Sequence, residues 1–254
     1  MLLIICSLRQ GTHEVCVLSL DQQNALRDQY RALNPGWQPA TEVYANLVRT
    51  SLRPSARVLD LGCGRGGLVE QLDHPLAQIV GVDPDWQSLR EHRLPLPRVA
   101  AHSEALPLAD GCVDVAFASW LLEHLARPSF TFAQLARVLR PGGVFVFITP
   151  NRRHPLSALN GLLGRFNRLQ GALVERFYGR ASADTFPTYY CANTSAELSR
   201  LAAAQGLTLG ELHAIPDPTY LAFTPALFRL MTQFEARLPA DRQLHLVGCL
   251  RRPE

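Results

Sequence analysis

The chain has 254 residues, 47% of them hydrophobic and 19% charged, which is enough for one large domain with a buried core, and no apolar run approaches the ~20 residues of a membrane-spanning helix. Its 25 basic residues exceed the 22 acidic ones by three, and every one of the 25 is arginine. The missing lysine excludes a phosphate-cradling GK[ST] loop, a pyridoxal Schiff base and a kinase strand lysine, because a guanidinium stays protonated and serves neither as nucleophile nor as base.

The apolar start, Met1 to Cys6, is six residues long, has no basic residue before it and runs into Arg9, so it does not read as a secretory signal. Residues 1–20 read either as a short hairpin closed by Val15 to Leu20 or as an unstructured extension. A helix is predicted from Asp21 to Leu33 with Asp21 as N-cap, and another from Thr41 to Leu52 after the turn-rich Asn34-Pro35-Gly36-Trp37. From there short apolar runs alternate with helical patterns. Strands are expected at 57–61, 78–82, 98–101, 113–118 and 143–148, and helices at 67–72, 86–91 and 130–139. Continuous apolar strands separated by helices indicate a parallel sheet covered on both faces.

After Pro150 the rhythm breaks, and 151–190 holds no strand pattern. It resumes with a helix from Thr194, where Glu197 completes a capping box, a strand over 207–215, a helix over 221–238 and a last strand over 243–250. The expected architecture is α/β, a doubly wound seven-stranded sheet with a helical lid inserted after the fifth strand. Its parts are an N-terminal extension and helix (1–40), a ligand-binding core (41–150), the lid (151–190) and the rest of the same domain (191–254). The six cysteines are scattered, without a CxxC pair or metal-type spacing, which suits buried thiols in a reducing compartment, by default the cytoplasm, and no metal site.

The chemistry concentrates on Asp60-Leu61-Gly62-Cys63-Gly64-Arg65-Gly66-Gly67, which follows the first strand. Glycines suit a tight turn that a ligand approaches closely, and a helix opening behind them would offer free N–H groups. Gly62-x-Gly64-x-x-Gly67 meets a dinucleotide fingerprint, while Asp60 with Gly62-x-Gly64-x-Gly66 meets another nucleotide-binding pattern. Asp83, at the end of the second strand, can accept both hydroxyls of a ribose in either case.

The flanks separate the two. Leu59 to Gly64, Gly81-Val82-Asp83-Pro84, Glu104 to Leu108, Glu123-His124 and Arg137 to Gly143 occur in the order that resembles the class I S-adenosylmethionine-dependent methyltransferases, in particular the group that includes ubiquinone and menaquinone methyltransferases. The resemblance covers about 41–150 strongly, and implies a Rossmann-like, mainly parallel sheet with an antiparallel last strand and S-adenosyl-L-methionine as cofactor. It implies that Asp60 and the backbone of Gly62, Cys63, Gly64 and Gly66 hold the methionine end, that Asp83 and Pro84 hold the ribose, and that Ser119 and Trp120 lie beside the methionine. Where the family commonly has Gly-Asp-Ala-Glu, this chain has Ala101-His102-Ser103-Glu104, so His102, with Ser103, would meet the adenine.

A sulfonium methyl needs alignment and exclusion of water more than acid–base help. His124, at the C-terminal edge of the sheet, is the candidate base if the acceptor keeps its proton, with packing or capping as its other reading. Tyr189 and Tyr190 either shape a substrate wall with Trp120 or anchor a loop.

Charge is unevenly divided. Residues 1–150 carry 13 Arg against 14 acids, 151–190 carry six against two, and 191–254 six against six, so the net charge arises in the insertion. There Leu156, Leu159, Leu163, Phe166, Leu169, Leu173 and Phe177 recur at three- and four-residue steps, with Arg165, Arg168 and Arg176 on other faces. Three readings stand: a lid packed on the domain, a lid whose arginines meet an anionic acceptor, and a basic amphipathic helix resting on a membrane to admit a lipid-linked acceptor. Nucleic acid is not expected, because a leucine-rich segment of this charge lacks a broad basic face. The expectation is a methyltransferase for a small-molecule or lipid-linked acceptor. The alternatives are an NAD(P)-dependent oxidoreductase and a non-catalytic binder of the same cofactor. The sequence does not set the oligomeric state.

Overall fold

The computed structural model describes residues 20–158, 187–219 and 224–254. They form α1 (Leu20–Leu33), α2 (Ala40–Ser51), β1 (Val58–Leu61), β2 (Ile79–Asp83), α3 (Trp86–Arg90), β3 (Arg98–Ala100), β4 (Val113–Ser119), α4 (Pro128–Val138) and β5 (Leu139–Pro150), then α5 (Ser195–Ala203), β6 (Thr208–Ile215), α6 (Pro225–Glu235) and β7 (His245–Arg251). The seven strands make one sheet in the order β3-β2-β1-β4-β5-β7-β6. Neighbours from β3 to β5 run parallel, and β7 runs antiparallel to both β5 and β6. The mainly parallel sheet with an antiparallel last strand is therefore as expected.

The period-2 alternation of the strands divides the core between the two faces of the sheet. Leu59, Leu61, Phe145, Phe147 and Leu250 pack with Phe132, Leu135 and Val138 of α4 and Leu198 and Leu201 of α5. Val58, Val115, Phe117, Val146, Ile148 and Val247 face α2, which meets them with Tyr44 and Val48, while Ala40 extends the same four-residue stripe. Asp60 shares its side of β1 with Val58, so its carboxyl is turned toward α2 at the end of a strand whose four residues are all buried.

Several helix limits differ from expectation. α1 begins at Leu20, which places Asp21 inside the first turn. α4 begins two residues early at Pro128, whose fixed φ and absent N–H suit that position. α6 is capped by Thr224, whose hydroxyl accepts the Leu227 N–H, and stops at Glu235; residues 221–223 of the longer expected helix lie outside the described residues. Half of the capping box is as read, since Thr194 accepts the Glu197 N–H, whereas the Glu197 carboxylate accepts from the Thr194 hydroxyl and the Asn193 N–H and not from the Thr194 N–H.

One difference matters for the site. No α-helix follows the glycine loop. Leu68–Gln71 is a single 3-10 turn, because only seven residues separate Gly67 from Pro75, the residue before a proline is disfavoured in the α region, and His74 is pinned by its Nε2–H to the Ala56 carbonyl at 2.8 Å. The reading of 1–19 and the amphipathic pattern of the insertion, with Arg165, Arg168 and Arg176, lie outside the described residues.

Candidate active site

At the C-terminal edge of the sheet a cavity of about 700 Å³ opens between the glycine loop, α2 and the end of β4. Asp60, Gly62, Cys63, Gly64, Gly66, Ser119 and Trp120 line it, joined by Thr41, Tyr44, Arg49, Gln71 and Ile148 among others. Seven residues singled out in the sequence are thus brought to one wall, although they come from two separate strand ends.

The loop is held from β2. Gly62 and Cys63 donate their N–H groups to the Val82 carbonyl at 2.7 and 3.2 Å. The Asp83 carboxylate accepts the Gly64 N–H on Oδ2 at 2.9 Å and the Asp85 N–H on Oδ1 at 2.8 Å. Each oxygen keeps a lone-pair direction for a hydroxyl. Gly64 has φ +48°, and a Cβ built on it would meet nothing within 4 Å, so backbone and cavity meet there without a side chain between them. Asp60 is buried, and burial, then the nearby Asp83 charge, push its carboxyl up to about 7. Burial likewise pushes the Cys63 thiol up to about 12, which makes it a packing group and not a nucleophile.

Tyr44 was not singled out from the sequence, yet its phenol lies in the cavity wall and accepts a hydrogen bond from Ser119 Oγ at 3.1 Å. A polar tip in the otherwise apolar helical stripe of Ala40, Tyr44 and Val48 was the available signal. Trp120 turns the chain at the end of β4 with φ 55°, its N–H bonded to the Ile148 carbonyl at 3.0 Å.

The remaining candidates stand outside this wall. His102 is exposed, and Ser103 pairs its hydroxyl with Thr131 Oγ1 at 2.9 Å. Pro84 is exposed at the entry to α3. The His124 Nδ1 lies 3.0 Å from the Pro187 carbonyl, which assigns the proton to that nitrogen, and burial lowers its basicity. Tyr189 and Tyr190 direct their N–H groups to the Glu123 carbonyl at 2.7 and 3.2 Å, and Tyr190 is buried with φ 53°. On the other flank the Arg152 N–H bonds the Asn193 carbonyl at 2.9 Å, Arg152 Nη1 reaches the Tyr190 carbonyl, and Asn193 Nδ2 bonds Thr149 Oγ1 and the Pro150 carbonyl. Both ends of the inserted segment are therefore fastened to the edge of β4 and β5.

The methyltransferase-domain family matches residues 59–147, from the first strand through the fifth. This part of the chain is a class I S-adenosylmethionine-dependent methyltransferase domain. The chain is 37% identical over 98 residues to an S-adenosylmethionine-dependent methyltransferase of Mycolicibacterium smegmatis, covering 37% of this chain and 38% of that one. It is 37% identical over 115 residues to trans-aconitate 2-methyltransferase of Azoarcus sp., covering 41% and 43%. With the ubiquinone biosynthesis O-methyltransferase of Rhizobium etli it shares 32% over 110 residues, covering 41% and 44%. The chain spans less than half the length of these curated relatives.

The fold of the methyltransferase domain is also that of solved structures. An S-adenosylmethionine-dependent methyltransferase from Mesorhizobium loti superposes with a TM-score of 0.52 at 18% identity, covering 84% of this chain and all of the other. The [4+2]-cyclase SpnF superposes at 0.54 and 17%, covering 91% and 83%. The wall described above fits the cofactor of this fold: Gly64 leaves the cradle open, Asp60 offers a buried carboxyl to a cationic end, and Asp83 offers two acceptor oxygens to a ribose.

Proposed function

We propose that this protein transfers a methyl group from S-adenosyl-L-methionine to a small-molecule or lipid-linked acceptor in the cytoplasm. The observation that carries the reading is the open cradle at Gly64, flanked by the buried Asp60 and locked by Asp83. Asp60 and the backbone from Gly62 to Gly66 would hold the methionine end, Asp83 the ribose, and Ser119, Tyr44 and Trp120 the region around the reacting methyl. Bound there, the cofactor supplies a sulfonium methyl that is already electrophilic. The chain's own task is to align the acceptor and keep water out.

Support for a small acceptor comes from the relatives, which include a trans-aconitate 2-methyltransferase and an enzyme of ubiquinone biosynthesis. The basic insertion supports an anionic or membrane-borne acceptor, since arginine forks suit carboxylate and phosphate. A nicotinamide dinucleotide is poorly served, because its pyrophosphate sits on the N-terminus of a helix directly after the glycine loop, where this chain has a four-residue 3-10 turn.

The test is a cell extract incubated with the protein and methyl-labelled cofactor, analysed by mass spectrometry, alongside calorimetry with S-adenosylhomocysteine. The expected result is tight product binding and one labelled acceptor. Stabilisation by NAD(H) and none by S-adenosylhomocysteine would overturn the reading. Binding without turnover would identify a non-catalytic cofactor binder.

A further inference from the structure

We propose that Asp217 and His245 form a positioning pair that fixes the indole of Trp120 as a wall of the methyl-transfer cavity. Trp120 is a bulky residue in the left-handed region, a conformation that persists only where the surroundings over-determine it. Its backbone is restrained by the Ile148 carbonyl. Its side chain meets the ring of His245 edge to face, with centroids 5.1 Å apart and planes at 71°. His245 is the first residue of β7, buried, and paired across the sheet with Pro150 of β5 and Ile215 of β6. Its Nε2 lies 3.5 Å from Asp217 Oδ2.

Asp217 is itself fixed. The N–H and the hydroxyl of Thr219 both donate to its Oδ1, which leaves Oδ2 turned to the imidazole. The neighbouring Pro216 carbonyl accepts the Trp37 indole N–H at 3.0 Å, tying the turn between α1 and α2 to the same loop. A continuous set of contacts thus runs from that turn through Asp217 and His245 to a residue of the cavity wall. A ring held this way is fixed where Trp120 lines the cavity, and loosening either partner frees it. The role in methyl transfer rests on the function proposed above, whereas the coupling of Asp217 to Trp120 does not.

The protein contains three tryptophans, Trp37, Trp86 and Trp120. Labelled with 5-fluorotryptophan, the full chain gives three fluorine resonances, with Trp120 assigned through Trp120→Phe and the exposed Trp86 as internal reference. Asp217→Ala and His245→Ala are expected to shift the Trp120 resonance of the ligand-free protein and to weaken S-adenosylhomocysteine binding about threefold to tenfold, the range of one aromatic pair. Asp217→Asn, whose oxygen stays with the two Thr219 donors while its NH2 donates to Nε2 of the other imidazole tautomer, is expected to restore affinity to within about twofold, whereas His245→Phe, which keeps a ring but cannot hold Asp217, is expected to lose about as much as Asp217→Ala. The two conservative variants also carry the test if an alanine variant fails to fold, as judged by its melting curve. An unchanged Trp120 resonance in Asp217→Ala and His245→Ala, equal losses in Asp217→Ala and Asp217→Asn, or full affinity in His245→Phe overturns the proposal. If the wild type binds no S-adenosylhomocysteine, the proposed function fails while the resonance shifts still decide the coupling.

Discussion

Asp83 holds Gly64: the carboxylate at the end of β2 accepts the loop's N–H at 2.9 Å. One residue therefore orders the glycine turn and, in the proposed function, would also hold the ribose. Asp83→Ala should weaken S-adenosylhomocysteine binding about 10- to 100-fold, from the ~1.5–3 kcal/mol of a hydrogen bond to a charged group. Asp83→Asn, which keeps one acceptor, should lose less. Calorimetry on both variants checks the order.

Gly64 and Gly66 should respond differently to alanine. At Gly64 the new methyl meets open space, so stability should fall by only about 1 kcal/mol for the left-handed φ while ligand binding is abolished. At Gly66, with φ +118°, a Cβ would lie 2.6 Å from Glu70 Oε1, which is already paired with Arg93. Gly66→Ala should therefore cost more in melting temperature than Gly64→Ala. Thermal scans with and without S-adenosylhomocysteine separate the two effects.

Binding should depend on pH through Asp60. Its carboxyl, raised to about 7 by burial and by Asp83, would have to ionise to hold the cationic methionine end proposed for it. Affinity for S-adenosylhomocysteine should rise as pH approaches about 7 from below and level off above it. Asp60→Asn should bind more weakly and lose this slope. Titrations in buffers of different ionisation enthalpy should show proton release near pH 6.

Glu123 supplies the matching prediction for stability. Burial raises it from 4.5 to about 7, so the folded state retains a proton that the unfolded chain releases. Stability is therefore lost as pH rises between about 4.5 and 7, and the loss is complete above 7. Glu123→Gln still accepts from Thr149 and should be more stable than wild type at pH 8, by up to about 3 kcal/mol, and equal to it near pH 4. Urea unfolding at both values tests this.

The arginines of the insertion give a prediction from sequence alone. Replacing Arg165, Arg168 and Arg176 by Gln should weaken acceptor binding, or binding to anionic vesicles, while leaving S-adenosylhomocysteine affinity unchanged. Co-sedimentation with vesicles of defined charge and calorimetry read the two effects apart.

The fold was legible where periodicity and punctuation agree. The strands announce themselves as continuous apolar runs, and the Thr194–Glu197 box marks a helix start that the backbone adopts. Asp83 and Gly64 were singled out as neighbours of one ligand, but the hydrogen bond that joins them was not read from the sequence. The 3-10 turn after Gly67 was not legible, because Leu68, Val69 and Leu72 match helical spacing while Pro75 and the His74 anchor deny a helix length. The contacts of Tyr44 and His245 were invisible for another reason. Tyr44 meets Ser119 across 75 positions of sequence, and His245 meets Trp120 only when β7 threads back beside β5, so no local pattern records either contact.

The fastening of both insertion flanks has a consequence for how this protein can change. Residues 152 and 193 close on each other, and residues 189 and 190 close on Glu123, with hydrogen bonds that use only flanking groups. Closing a longer or shorter loop across such a frame costs little, since the entropy of closure grows only with the logarithm of length. Exchanging residues 159–186 for those of a relative should leave the cofactor side of the molecule intact, and an altered acceptor range in that chimaera would make acceptor choice a property inherited separately from the fold.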